Sequence, residues 1–351
     1  MKRGARALCA PMKFFSTLLL ALGLALAANP AAGAFINGYA YTALDDWAAV
    51  NGLRLTRNPR NDEFVVTNRS VRLVFDKDSR TVEINGVNVA LCFPVAVNKG
   101  QVFIAQLDLA KTIAPLIFAP PTSAKKITTI CLDPGHGGKD SGNRVGGFFS
   151  RRSEKTYTLL LAQELRGQLK RAGFNVILTR TDDTFVDLPA RPALANRRGA
   201  DLFVSLHFNA TETGKNAVAG PETYCITPVG ASSSNAQGEG ADHGACVANL
   251  YENKSLLLAY QVQKSLVKNL GVPDRSVRRA RFAVLRDATM PAILIESGYM
   301  TNPTEGQKIF DANYRRQIAA AIVKAILNYQ RLTVAVPTPK ATKPILHEHR
   351  H

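Results

Sequence analysis

The chain is 351 residues long, 46% apolar and 20% charged, with a formal net charge of +17. That is a globular rather than a disordered balance, with material for one large domain or two ordinary ones. So basic a protein suits a polyanionic surface. Aromatics are only 7% and no basic stripe interleaves with them, so nucleic acid ranks last, behind cell-wall polymer with free carboxylates and anionic lipid headgroups.

From Met12 the chain reads MKFFSTLLLALGLALA, then ANPAAGA with Ala32 and Ala34 at A-x-A spacing. This predicts a secretory signal over residues 1–34, cleaved after Ala34. The apolar run is shorter than the ~18 to 20 residues of a membrane span. Met12 is a second candidate start, because the eleven residues before it only lengthen the basic flank. The leader carries Lys2, Arg3, Arg6 and Lys13 and no acid, so the processed protein stays strongly basic, and it is expected in the periplasm or cell wall. Four cysteines remain, Cys92, Cys131, Cys225 and Cys246. None forms a CxxC, which leaves a cysteine zinc site unsupported. Cys131 reads as a buried thiol in a strand, while Cys225 and Cys246 are able to pair in an oxidising compartment.

Residues 35–119 hold short alternating runs, VRLVFDKD, TVEINGVNVAL and QVFIAQLDLA, and one helical stretch over ALDDWAAVNG. The Asn-Gly between two such runs is a hairpin signal. A small β-rich module is expected, folding separately, with a proline-bearing linker over 120–126. From 127 to 331 strands alternate with long helices, which predicts an α/β domain. The tail, 332–351, is Pro-rich and polar and reads as disordered; its HEHRH end reads as solvated.

Three apolar runs of the second domain end on a side chain that binds metal or moves protons. KITTICLDPGH ends at His136, DLFVSLH at His207 and PAILIE at Glu296. In open α/β sheets, function gathers beyond the carboxyl ends of the strands. SEKTYTLLLAQELRGQLKRAG is an amphipathic helix with apolar side chains at Tyr157, Leu160, Leu161, Leu165 and Leu169, Ser153 at its N-cap and a stop at Gly173. Its first residue, Glu154, is brought to the same sheet edge. Two histidines and one glutamate form a zinc set with an open fourth position. The remaining carboxylate, Glu296, suits proton transfer. The loop GHGGKDSG lacks the spacing of a phosphate cradle; its glycines are read as clearing space for substrate backbone beside the metal.

LDPGHGGKDSG, SEK opening a helix, SLHFNA, GPETYCI, FAVLRDATMPAILIESGYMTNP and YRRQIAAAIVKAI together resemble the zinc-dependent N-acetylmuramoyl-L-alanine amidases of the bacterial cell-wall amidase type 3 family. The resemblance implies a mixed, mainly parallel sheet with helices on both faces. It also implies one Zn2+ held by His136, Glu154 and His207, with Glu296 as general acid/base. The implied reaction is hydrolysis of the amide between N-acetylmuramic acid and the L-alanine of the peptidoglycan stem peptide. Asn209, two positions after His207, is a candidate substrate-binding residue. Residues 35–119 weakly resemble copper amine oxidase N-terminal-like modules, without implying copper, since they contain no histidine.

Residues 228–255 form a long Ser/Gly/Ala/Asn-rich stretch between His207 and Glu296. It is expected to be mobile, to wall or cover the groove and to be the place where a protein activator acts; His243 on it is a candidate visitor to the metal. Two other readings share the four site residues or do without them: a zinc deacetylase or peptidase acting on wall polymer, and a non-catalytic wall-binding protein.

Overall fold

The protein is described by a computed structural model over residues 33–58, 62–118, 122–123, 125–146, 151–234 and 244–334. The leader over 1–32, His243 and the tail beyond 334 lie outside these residues. The two last positions expected in the leader, Gly33 and Ala34, belong to the strand Gly33–Ile36.

Six strands build the main sheet of the C-terminal part among the described residues. In spatial order they are Asn175–Leu178, Thr129–Pro134, Leu202–Asn209, Ala292–Tyr299, Glu222–Cys225 and Val277–Arg279. The first four are parallel; Glu222–Cys225 runs antiparallel to Ala292–Tyr299 and parallel to Val277–Arg279. This is the mixed, mainly parallel sheet expected. Helices Glu154–Arg171, Glu252–Leu270 and Ala312–Thr333 pack on one face, and the short helices Ala190–Arg197 and Ala283–Arg286 lie on the other.

The period-2 alternation of a strand assigns the site to one face. On the His207 strand, Leu202, Val204, Leu206 and Phe208 enter the larger core, whereas Phe203 joins the cluster on the opposite face. Ser205 and His207 therefore follow Phe203 on that second face. The neighbouring strand matches it, with Ser205 opposite Leu294 and His207 opposite Glu296. The register shifts between His207 and Asn209, so the chain leaves the regular ladder immediately after the histidine.

The helix Glu154–Arg171 buries Thr158, Leu161, Ala162, Leu165 and Leu169. Leu160, expected on its apolar face, is 38% exposed, because the buried stripe runs through 158 and 162 instead. Ser153 occupies the cap position, but its side chain makes no capping bond.

The N-terminal region has the expected β-rich content. Arg54–Asn58, Glu63–Thr67, Arg72–Asp76, Thr81–Ile84 and Val87–Ala90 pair antiparallel in sequence order. Asn85 and Gly86, at φ +47° and +79°, make the two-residue turn that Asn-Gly predicts. Its independence is not observed. Val89 lies opposite Val277 in a parallel pairing, and the five N-terminal strands extend the six of the C-terminal part into one sheet of eleven among the described residues. The Tyr260 hydroxyl donates to the Ile84 carbonyl at 2.9 Å, and the Asn88 amide donates to Asp274 at 2.7 Å. One apolar cluster contains Phe64, Val89, Leu257 and Ile326 alike. In the stretch expected as linker, Ser123 N donates to Thr333 O and Lys125 pairs with Asp201, so its described residues are tied down. The last helix runs to Thr333, two residues past the expected end of the domain.

Each large side chain lost from such a core costs about 1.5–3 kcal/mol, against a total stability of about 5–15 kcal/mol. Removal of residues 33–118 is therefore expected to abolish the cooperative melting of the remainder. Circular dichroism of the shortened chain tests this, and a melt as sharp and as high as that of the full protein would contradict it.

Candidate active site

His136 has φ +62°, a left-handed conformation uncommon for a residue with a side chain. Two buried guanidinium groups hold it there. Arg191, 1% exposed, donates to the carbonyls of Pro134 (3.0 Å) and His136 (2.9 Å) and to Asp133 Oδ1 (2.8 Å). Arg180 donates to the carbonyls of Pro134 (2.9 Å) and Gly135 (2.7 Å). Asp133, itself buried, also accepts from Thr179 (2.6 Å) and Ser205 (2.7 Å). The turn after the strand is thereby fixed from below, and the imidazole is aimed over the sheet edge.

Glu154 is buried at the start of its helix. Its Oε1 lies 3.1 Å from His136 Nε2 and 3.0 Å from His207 Nδ1, and it also accepts from the Phe208 amide at 3.1 Å. Its Oε2 accepts from the backbone and side chain of Asn143 at 3.0 and 2.9 Å. One donor atom from each of His136, Glu154 and His207 falls within a 4.8 Å group, the set able to hold a metal ion among the described residues. Two imidazole nitrogens and one carboxylate oxygen are borderline donors that suit a divalent transition ion such as zinc. Asp140 Oδ2 lies 2.8 Å from His136 Nδ1 and so fixes Nε2 as the atom facing Glu154.

The glycines of this loop make room for the protein's own side chains. A Cβ on Gly135 would come within 2.2 Å of the His207 ring, and one on Gly142 within 2.6 Å of both Glu154 Oε2 and the His136 ring. The expected clearing for substrate backbone is thus a clearing for the donors themselves.

Glu296 ends its apolar run opposite His207. Its Oε2 is sealed from solvent and meets no hydrogen-bond partner. Burial raises its pKa well above the ordinary carboxyl value, reinforced by the charges of Glu154 and Glu222. For Glu154 burial also pushes upward, but hydrogen bonds and charge from the two histidines outweigh it and hold the carboxyl well below the usual range. Burial opposes charge on His136, yet Glu154 and Asp140 carry its pKa upward on balance. Two carboxyls near one edge are driven apart.

Asn209 donates from Nδ2 to the Tyr299 hydroxyl at 3.2 Å and accepts from the Ala210 amide at 2.8 Å. The Tyr299 hydroxyl in turn donates to Glu222 at 2.9 Å. Asn209 thus braces the end of the His207 strand against its neighbour. Asp140, Asn143, Arg180, Arg191 and Glu222 were not singled out from sequence. Asp140 carried a signal, its four-residue spacing from His136; the arginines carried none, being single residues in distant segments.

The long stretch differs from expectation in its first part. Ala231 and Ser233 are buried, and Arg281 donates to the carbonyls of Pro228 (3.2 Å) and Ala231 (2.6 Å). Residues 228–234 are thus docked, and 235–243 lie outside the described residues. Cys225 and Cys246 are free thiols, so the disulfide left open above is not formed; Cys225 instead meets Arg279 Nη1 at 3.4 Å.

Residues 130–328 match the family model described as N-acetylmuramoyl-L-alanine amidase. Among curated proteins, the uncharacterized protein YqiI of Bacillus subtilis is 34% identical over 227 residues, covering 64% of this chain and 95% of that protein. The N-acetylmuramoyl-L-alanine amidase LytC of the same organism is 34% identical over 203 residues, 58% of this chain but only 36% of LytC. A solved N-acetylmuramoyl-L-alanine amidase from Clostridium difficile 630 is 36% identical, with a TM-score of 0.48, covering 59% of this chain and 98% of that one.

Gly135→Ala is expected to displace the His207 ring and to weaken the binding of an added divalent metal ion by about tenfold or more, the scale seen when a ligand's support is lost, while the circular dichroism spectrum persists. Unchanged affinity in a metal titration would contradict this. In metal-free protein, Glu296 with a raised folded-state pKa contributes stability below its ordinary value of 4.5 that is lost as pH rises through the raised one. Glu296→Gln is therefore expected to melt progressively higher than the parent as pH increases above 4.5, and a pH-independent difference would contradict it.

Proposed function

The chain belongs to the N-acetylmuramoyl-L-alanine amidase family, and we propose that it is an exported zinc enzyme that hydrolyses the amide between N-acetylmuramic acid and the L-alanine of peptidoglycan stem peptides. The observation that supports this reading most is the division of labour between two carboxyls. Glu154 is bound up with both imidazoles, while Glu296 stands across from His207 with an oxygen that no donor satisfies. A half-buried carboxyl with one sealed, unpaired oxygen beside a donor set favours a functional role over a stabilising one.

In this reading His136, Glu154 and His207 hold the metal, which when bound supplies Lewis acidity to a carbonyl and acidifies water. Glu296 accepts the proton of the attacking water and delivers it to the departing nitrogen of L-alanine, a transfer suited to a carboxyl whose proton affinity burial raises. Asp140 keeps the His136 ring oriented through Nδ1, and Asn143 holds the far oxygen of Glu154, so the donors do not swing as charge develops. Asn209 is retained as a substrate-side residue only through the position of its strand end.

Export rests on the leader over 1–34 and on the family's wall substrate; among the described residues no helix is long and apolar enough to cross a membrane. A protein activator would reach the site through the 228–255 stretch, whose docked first part leads from the Glu222–Cys225 strand.

A deacetylase or peptidase would employ the same four residues, so the products decide. Digestion of purified sacculi is expected to yield new free L-alanine amino termini by mass analysis, whereas free glucosamine amines would contradict the amidase reading. Glu296→Ala is expected to keep near-stoichiometric zinc and to lose about 10²- to 10⁴-fold in rate, the usual worth of a general acid–base group. His136→Ala should lose the metal. Equal zinc loss in both variants would overturn this division of roles.

A further inference from the structure

We propose that a cation-lined cavity, walled by residues that flank the donor set along the chain, binds a carboxylate of the stem peptide, on the side of the departing L-alanine; this rests on the amidase reading. The cavity has a volume of about 490 Å³ and includes Arg144, Arg152 and Lys215 in its wall, together with Met300 to Pro303, Gly306, Gln307 and Phe310. Among the described residues no acidic side chain lines it, in a chain with 27 acidic residues.

Several of its wall residues adjoin, along the chain, the segments that build the donor set. Arg144 follows Asn143, which donates to Glu154, and Arg152 stands two residues before Glu154. The two arginines lie on a short antiparallel ribbon, with Arg144 opposite Ser153 and Val145 opposite Arg152. The Met300–Pro303 wall continues directly from the strand that carries Glu296. The group that would protonate the leaving nitrogen and the cavity are therefore consecutive along the chain, which favours the peptide side of the scissile bond over the sugar side.

Among the described residues the two arginines are positioned without an acidic partner. The Arg152 guanidinium sits 4.1 Å from the centroid of the Phe310 ring and reaches Gln307 Oε1 at 3.4 Å. Arg144 Nε donates to the Ser141 hydroxyl at 2.6 Å. A stacked guanidinium loses little freedom when it captures an anion and presents a planar fork that matches a carboxylate. Three cations around one concavity favour an anion there, and the carboxylates beyond L-alanine in the stem peptide are the anions that the proposed reaction brings to this side.

The test compares two soluble muropeptides, one with free peptide carboxylates and one with the same groups amidated, on the zinc-loaded full chain. The parent is expected to favour the carboxylate form by tenfold or more in kcat/KM. Arg152→Gln, and separately the exposed pair Arg144→Gln with Lys215→Gln, should bring that ratio toward one, chiefly through KM, with zinc content and melting temperature retained. The exposed pair keeps the test decisive if Arg152→Gln unfolds. A parent that cleaves both substrates equally, or variants that lose equally on both, would overturn the proposal while leaving the amidase reading intact. A parent that cleaves neither would overturn the amidase reading and this proposal with it.

Discussion

Everything at the candidate site depends on how the chain turns after Pro134. The His136 backbone occupies a left-handed conformation that costs free energy for any residue with a side chain. Arg180 and Arg191 hold it by gripping three successive carbonyls from beneath. Burying two guanidiniums is itself unfavourable unless their donors are satisfied. Asp133 and the carbonyls satisfy several of them, so the loop and the arginines stabilise one another. Such a network is weak evidence for overall stability and better evidence for one defined geometry. Here that geometry delivers an imidazole to within 3.1 Å of a helix-borne carboxylate.

From that fixed point the electrostatics follow. Glu154 gathers two imidazoles, a backbone amide and an asparagine, and its carboxyl is held ionised despite burial. Glu296, one strand over, receives no such company and faces the negative charges of Glu154 and Glu222, so its carboxyl is pushed the other way. Environments that separate the pKa values of neighbouring carboxyls suit them to different tasks, which is why the proposed reading gives metal binding to Glu154 and proton transfer to Glu296. The parallel register that sets His207 beside Glu296 keeps these two groups on one face.

Much of this was legible in the sequence because it is carried by local patterns. Apolar runs ending on His136, His207 and Glu296 announce strands with functional ends, and the Glu154 helix declares itself by periodicity. The Asn-Gly turn at Asn85 was equally local. What could not be read depends on distant segments meeting. Nothing near Arg191 reports that it will reach Asp133, and nothing near Val89 reports that it will pair with Val277. The N-terminal strands therefore read from sequence as a separate module, whereas five of them continue the sheet of the C-terminal part. Residues 228–234, poor in large side chains, looked unable to pack; small residues such as Ala231 and Ser233 are buried instead because Arg281 binds the carbonyls around them.

The central claim is that His136, Glu154 and His207 jointly hold one divalent metal ion. The direct measurement is an anomalous difference map recorded at the zinc edge from zinc-loaded crystals of the protein. A single strong peak in contact with those three side chains is the result predicted. A peak confined to the histidines at 347, 349 and 351, or three site residues in place with no peak between them, would contradict the account.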